Sequence, residues 1–191
     1  MINLNKISKL ISSTAIGTLF STCAIAADQF ERPMYVQKFE ELNIEFLTEV
    51  DPLWNTNLRY HKGKPILLVS TQPKVYPPIQ MIVTSFPGME FTAEELDVGY
   101  KSFLNTALAN YGINPGQIDT LNTTTKVYGD LTGREITFEA NVHGTPSDIK
   151  VFLGMGKDRG PVLLQAITLK DKISHIERSL QRSWDNIRYL N

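Results

Sequence analysis

The chain has 191 residues, with 19 Lys and Arg against 20 Asp and Glu, three His and a single Cys, for a formal net charge of −1. A near-neutral chain without a Lys/Arg cluster argues against nucleic acid as a partner. It argues equally against a polybasic contact with membranes.

The first 27 residues have the layout of a secretory leader. Lys6 and Lys9 form a positive start, residues 10–20 an uncharged apolar run, and Ala24-Ile25-Ala26 a small-residue cleavage site. The sequence therefore predicts cleavage after Ala26 and export to the periplasm or beyond, with no stable membrane insertion afterwards. Two other fates compete. A retained anchor needs about 20 predominantly apolar residues, and Ser12, Ser13, Thr14, Ser21 and Thr22 interrupt this stretch. A lipid on Cys23 needs a large aliphatic residue three positions before it and Gly or Ala directly before it, whereas Phe20 and Thr22 stand there. Cleavage removes two lysines and takes the formal charge from −1 to −3. It also removes the only cysteine, and with it disulfides, thiol nucleophiles and thiolate metal ligation.

Residues 27–43 are polar and read as an N-terminal arm that pairs with a single domain over 44–191. Residues 44–50 read as a short strand stopped by Asp51-Pro52, and Leu58 and Tyr60 mark a second, ended by a turn at Gly63. The continuous apolar run Ile66-Leu67-Leu68-Val69 predicts a strand buried on both faces. Residues 73–78 hold three prolines and form a loop. Residues 79–86 read as the next strand, ended by Pro87-Gly88.

A helix follows. Thr92 and Glu95 make a capping box, with Phe91 and Leu96 placed as its hydrophobic staple. Leu96, Tyr100, Phe103, Leu104, Ala107, Leu108 and Tyr111 run along one face. Gly112 stands where a left-handed cap belongs, and Pro115 prevents resumption. Three strands in series are then predicted over 132–141, 149–155 and 162–169, joined by turns short enough to imply an antiparallel meander. An amphipathic helix over 172–189 closes the chain, with Ser174 and Glu177 as its capping box and Ile173, Ile176, Leu180, Trp184 and Ile187 as its buried stripe. Strands, helix, strands, helix is the order of an α+β sandwich, an antiparallel sheet flanked by helices.

Four stretches carry a family resemblance. A strand leads into Pro52-Leu53-Trp54, the capped FTAEEL helix follows, then GDLTGREITFEA with a Gly before the meander strand, and last the helix ending SWDNIRYL. Over about 44–190 this layout resembles the PsbP-like family, which includes bacterial DcrB-like periplasmic proteins and a eukaryotic Ran-binding import factor. Relatives more often space the first of these as Pro-x-x-Trp. The resemblance implies an α/β/α sandwich and a non-enzymatic role, as an accessory or partner-binding protein or as an immunity protein against a secreted effector.

The three histidines are the obvious catalytic candidates. His61 and His143 fall in turns and His175 at the start of the last helix, none at metal-ligand spacing. No G-x-S-x-G elbow is present. The glycines of residues 154–160 precede a strand rather than a helix, so they read as a hairpin and not a phosphate loop. Asp130, Glu135 and Glu139, and the denser set Glu90, Glu94, Glu95 and Asp97, read as solvated or helix-start carboxylates rather than a calcium site. Trp54 reads as core. Tyr76, in a proline-rich loop without an obvious core role, reads either as ordinary loop packing or as an interface anchor.

The sequence thus predicts an exported protein-binding protein without cofactor, using loops at one end of the sheet around Lys74, Tyr76, Glu90 and Phe91. The alternative is an envelope hydrolase with His143 as base and Asp130 or Glu139 as its orienter.

Overall fold

The computed structural model describes residues 34–49, 54–89, 95, 105, 108–109, 111–113, 122–157 and 159–190. The leader with Cys23, Ala24 and Ala26 lies outside the described residues, as do Pro52, Glu90, Phe91 and most of the helix expected after Thr92.

Seven strands form one antiparallel sheet. They are β3 (Trp54–His61), β4 (Lys64–Thr71), β5 (Gln80–Ser85), β6 (Thr124–Tyr128), β7 (Leu131–Val142), β8 (Thr145–Met155) and β9 (Val162–Leu169). Their order is β3-β4-β5-β9-β8-β7-β6. The meander β7-β8-β9 therefore sits as expected, with β5 joined to its far side. A second sheet holds β1 (Met34–Phe39), β2 (Ile44–Glu49) and the two-residue β10 (Arg188–Tyr189), in the order β1-β2-β10. The polar arm of the sequence reading thus contains a full strand. Its inward side chains are Gln37 and Phe39, and the Gln37 amide donates to Thr48 at 2.6 Å.

The seven-stranded sheet is covered on both faces. On one face Leu67, Val69, Met81, Phe152, Leu164 and Ala166 pack with Ile44 and Phe46 of β2 and with Ile176, Leu180 and Trp184 of helix α1 (Ile173–Trp184). On the other face Ile136, Phe138, Ile149, Val151, Leu153 and Leu163 pack with Leu108, and Tyr111 and Ile113 lie against them. Glu95, Asn105, Leu108 and Ala109 are helical. Gly112 has φ +76°, its N–H donates to Ala109 O at 3.1 Å, and the Ile113 N–H donates to Leu108 O at 3.2 Å. That pair of bonds is the glycine-terminated helix end the sequence predicted.

Three expectations are corrected. β4 is deeply buried on one face only, through Leu67 and Val69. Ile66 and Leu68 are half-covered, because β4 lies next to the edge strand. The closing helix stops at Trp184 instead of 189: the Asn186 amide donates back to Arg182 O at 2.8 Å, and the chain then pairs Tyr189 with Ile44 as β10. The Ser174–Glu177 capping box does not form. Instead the carboxylate of Asp148, on β8, accepts the backbone N–H groups of Lys172 and Ile173 at 2.9 and 3.0 Å. A tertiary cap has replaced a local one.

Candidate functional site

β4, β7 and β9 finish at the same end of the sheet at which β5 and β8 begin, so their connections gather there. They are the 72–79 loop, the turn at His143 and Gly144, and the step from Lys170 to α1. The proline-rich loop is held at its base. The Thr71 N–H donates to Ile79 O at 3.0 Å, the Ile79 N–H donates to the Thr71 hydroxyl at 3.0 Å, and the Val75 N–H donates to Gln72 O at 3.0 Å. From β9, the Thr168 hydroxyl donates to Pro78 O at 2.8 Å. The Tyr76–Pro77 peptide bond is cis.

On this tethered loop the Tyr76 side chain is 70% exposed. One side of its ring meets the Lys172 ammonium, 6.0 Å from the centroid, a contact worth about 0.5–1 kcal/mol at an exposed position. Lys172 is in turn placed by the bond from its N–H to Asp148. Lys74 is exposed beside it. The arrangement presents an aromatic ring and two cations on a base that does not have to be ordered on binding, which lowers the entropic cost of association.

The other residues predicted at the interface divide between the two ends of the sheet. Met89, directly before Glu90 and Phe91, stands past the opposite end of β5 from Tyr76, because β5 runs the length of the sheet between the two loops. Lys74 and Tyr76 share one loop, and the segment entering Glu90 is separated from them. Trp54 is half-buried against the larger core cluster.

The hydrolase residues are not assembled. His143 is exposed at φ +51° in the β7–β8 turn. Asp130 stands at the other end of the twelve-residue β7, roughly 40 Å away at about 3.3 Å per residue. There it accepts the Tyr189 N–H at 3.1 Å and pairs with Arg188 at 3.6 Å. Glu139 holds Lys170 at 2.6 Å, and that hydrogen bond raises the Lys170 pKa. His175 is exposed near the start of α1, and His61 closes β3. Among the described residues no group of three or more His, Asp or Glu could hold a metal ion.

A polar network that the sequence reading missed lies under α1. The Tyr128 hydroxyl donates to Glu135, and Lys150 lies 3.4 Å from Glu135 and 2.7 Å from Glu177. Glu135 and Lys150 are 7% and 6% exposed. Burial, then the bond to Glu135, raises the Tyr128 pKa above its ordinary value. The signal was present in Ile149-Lys150-Val151-Phe152, where a lone charge interrupts an apolar strand. Its ammonium lies between two carboxylates with the ring of Tyr128 packed edge-on against Phe152 and Trp184. The network ties α1 to β7 and β8 and leaves its charges mutually engaged.

No family model and no curated protein matches the chain. Solved structures do. A protein from Bacteroides thetaiotaomicron VPI-5482 superposes with a TM-score of 0.55 at 9% identity, over 83% of this chain and 48% of its own, so this chain spans about half its length. The cyanobacterial PsbP, CyanoP, of Synechocystis sp. PCC 6803 superposes with a TM-score of 0.50 at 12% identity, over 91% of this chain and 99% of its own. The fold is PsbP-like. LpqN of Mycobacterium tuberculosis, a protein involved in cell envelope biogenesis, gives 0.47 at 13% identity over 78% and 83% of the two chains. In this PsbP-like chain the large sheet takes helical residues on one face, and α1 with the small sheet on the other. No helix among the described residues is long and apolar enough to cross a membrane.

Proposed function

We propose that the chain is an exported, periplasmic protein that binds another protein through the Tyr76 end of its sheet and carries out no catalysis. The observation that supports this most directly is Tyr76 itself, 70% exposed on a loop tethered at both sides of its base. Exposed aromatic residues on pre-ordered supports are the usual anchors of protein interfaces. The leader supports the compartment. The engagement of Asp130 and Glu139 with Arg188 and Lys170 supports a structural use of the carboxylates that a hydrolase would need.

In its narrower form, the protein is an immunity protein that occludes a secreted effector. The test is a photo-crosslinking amino acid placed at position 76 in cells exporting the full chain. A single discrete adduct is expected from position 76, and none from position 127, an exposed valine at the opposite end of the sheet. No adduct from position 76, together with a periplasmic pull-down that yields no stoichiometric partner with or without calcium, would overturn the binding reading. A toxin gene beside this one is the expected context for the immunity form. Retention of the protein in the cytoplasmic fraction would overturn export.

A further inference from the structure

We propose that the PsbP-like sheet extends across two copies of the chain, β3 pairing antiparallel with β3 of a second copy about a two-fold axis through Asn57. The proposal is independent of the Tyr76 end.

Among the described residues β3 is the terminal strand of the large sheet. It pairs with β4 over eight consecutive residues, Trp54 with Thr71 through His61 with Lys64, without a bulge. Every second residue of such a strand turns its N–H and C=O outward, which makes a long, regular edge a template for another strand. Natural edges are blunted by lysine, proline, bulges or short length. The other edges use these devices: β6 has five residues and carries Lys126, and β1 has six and carries Lys38. β3 has no lysine, no proline and no bulge, and Arg59 is its only formal charge. It also carries Tyr60, 63% exposed on the same face of the strand as Trp54 and Leu58, which pack against the core.

One register pairs the two aromatic residues of the strand twice. A two-fold axis perpendicular to the sheet keeps the core face of each copy continuous with that of the other, and only registers that pair residues of the same face satisfy this. With the axis at Asn57, Tyr60 stands opposite Trp54 of the copy, Leu58 opposite Thr56, Arg59 opposite Asn55 and Asn57 opposite itself. The aromatic pair is formed twice, the guanidinium meets an amide, and no like charges are opposed. Moving the axis to Arg59 would set two guanidinium groups against each other. Moving it to Leu58 would replace the aromatic partner of Tyr60 by Thr56.

The mature chain is suited to a direct test because it has no cysteine once the leader is gone. The full chain is exported with Cys23→Ser, and single cysteines are introduced by Asn57→Cys or Arg59→Cys. Directly opposed residues of an antiparallel pair have Cα atoms about 4.5–5.5 Å apart, within disulfide range. Asn57→Cys is expected to form a disulfide dimer under mild oxidation, and Arg59→Cys to stay monomeric. Without introduced cysteine, sedimentation should show a dimer whose dissociation constant rises at least about tenfold in Asn57→Asp, which opposes two carboxylates across the axis. At concentrations below the dissociation constant, where both proteins are monomers, the circular dichroism and urea midpoint of Asn57→Asp should match those of the parent chain, since residue 57 is exposed. A monomer throughout the concentration series, or a dimer indifferent to Asn57→Asp, would overturn the proposal. Equal crosslinking from positions 57 and 59 would also overturn it.

Discussion

Gly129 occupies a position that no side chain can share. Its φ is +57°, and a Cβ there would collide with the carbonyl oxygen of Ile187, which lies close because the neighbouring Asp130 N–H donates to it at 3.1 Å. A left-handed conformation alone costs a residue with a Cβ about 1–2 kcal/mol. Gly129→Ala is therefore expected to lower the unfolding free energy by at least about 2 kcal/mol in urea titration, and an unchanged midpoint would refute that. Lys150 presents the opposite case, a side chain that cannot be removed alone. Lys150→Met leaves Glu135 buried without its cation, and breaking such a pair costs about 3–5 kcal/mol. The double variant Lys150→Met, Glu135→Leu should recover most of the loss, because a well-packed apolar pair can replace a buried ionic one. A double variant no more stable than the single one would contradict this account. Tyr128 adds a pH dependence. Its pKa in the folded protein is raised above the ordinary 10.0, first by burial and then by Glu135. Its contribution to stability is therefore fully present below pH 10 and is lost as the pH rises further, because the unfolded chain ionises first. Urea midpoints should fall between pH 9 and pH 11 and fall less steeply in Tyr128→Phe.

At the scale of elements, the local chemistry predicted type better than limits. The glycine-terminated end at Gly112 was legible because every contact that makes it is local: a left-handed residue and carbonyls three to five positions away. The start of α1 was not legible in the same way. Ser174 and Glu177 have the spacing of a capping box, yet Lys150 draws Glu177 away and Asp148, more than twenty residues earlier, supplies the cap. The consequence is measurable. Asp148→Ala is expected to cost about 0.5–2 kcal/mol, the range of a lost N-cap. Ser174→Ala, at an exposed position, should change stability by less than about 0.5 kcal/mol. Reversal of that order in thermal or urea unfolding would show that the cap is local after all. β1, β6 and β10 escaped the sequence reading for a related reason. β6 is a polar, exposed edge with no alternation to detect, and β10 has two residues that are strand only because β2 is beside them.

For the whole molecule, topology decides which residues can cooperate. β7 places Asp130 and His143 at opposite ends of one strand, and Glu139 is committed to Lys170. Separate substitutions His143→Ala, Asp130→Asn and Glu139→Gln are therefore expected to leave any cellular phenotype of the protein as in the parent strain, and loss of that phenotype in all three would revive the hydrolase reading. The chain's own residues determined a great deal: a start with the layout of a leader that carries the only cysteine, the alternation of the meander strands and the apolar stripe of the closing helix. These are properties of composition and short-range period, and they survive any arrangement in space. Tertiary structure alone decided that Lys172 meets Tyr76 while the chain entering Glu90 lies at the other end. It alone paired Lys150 with Glu135 and Glu177, and set β3 at the edge of the sheet among the described residues. Each of those depends on which strands become neighbours, a choice made by burying two faces of one sheet at once, and no window of consecutive residues contains it.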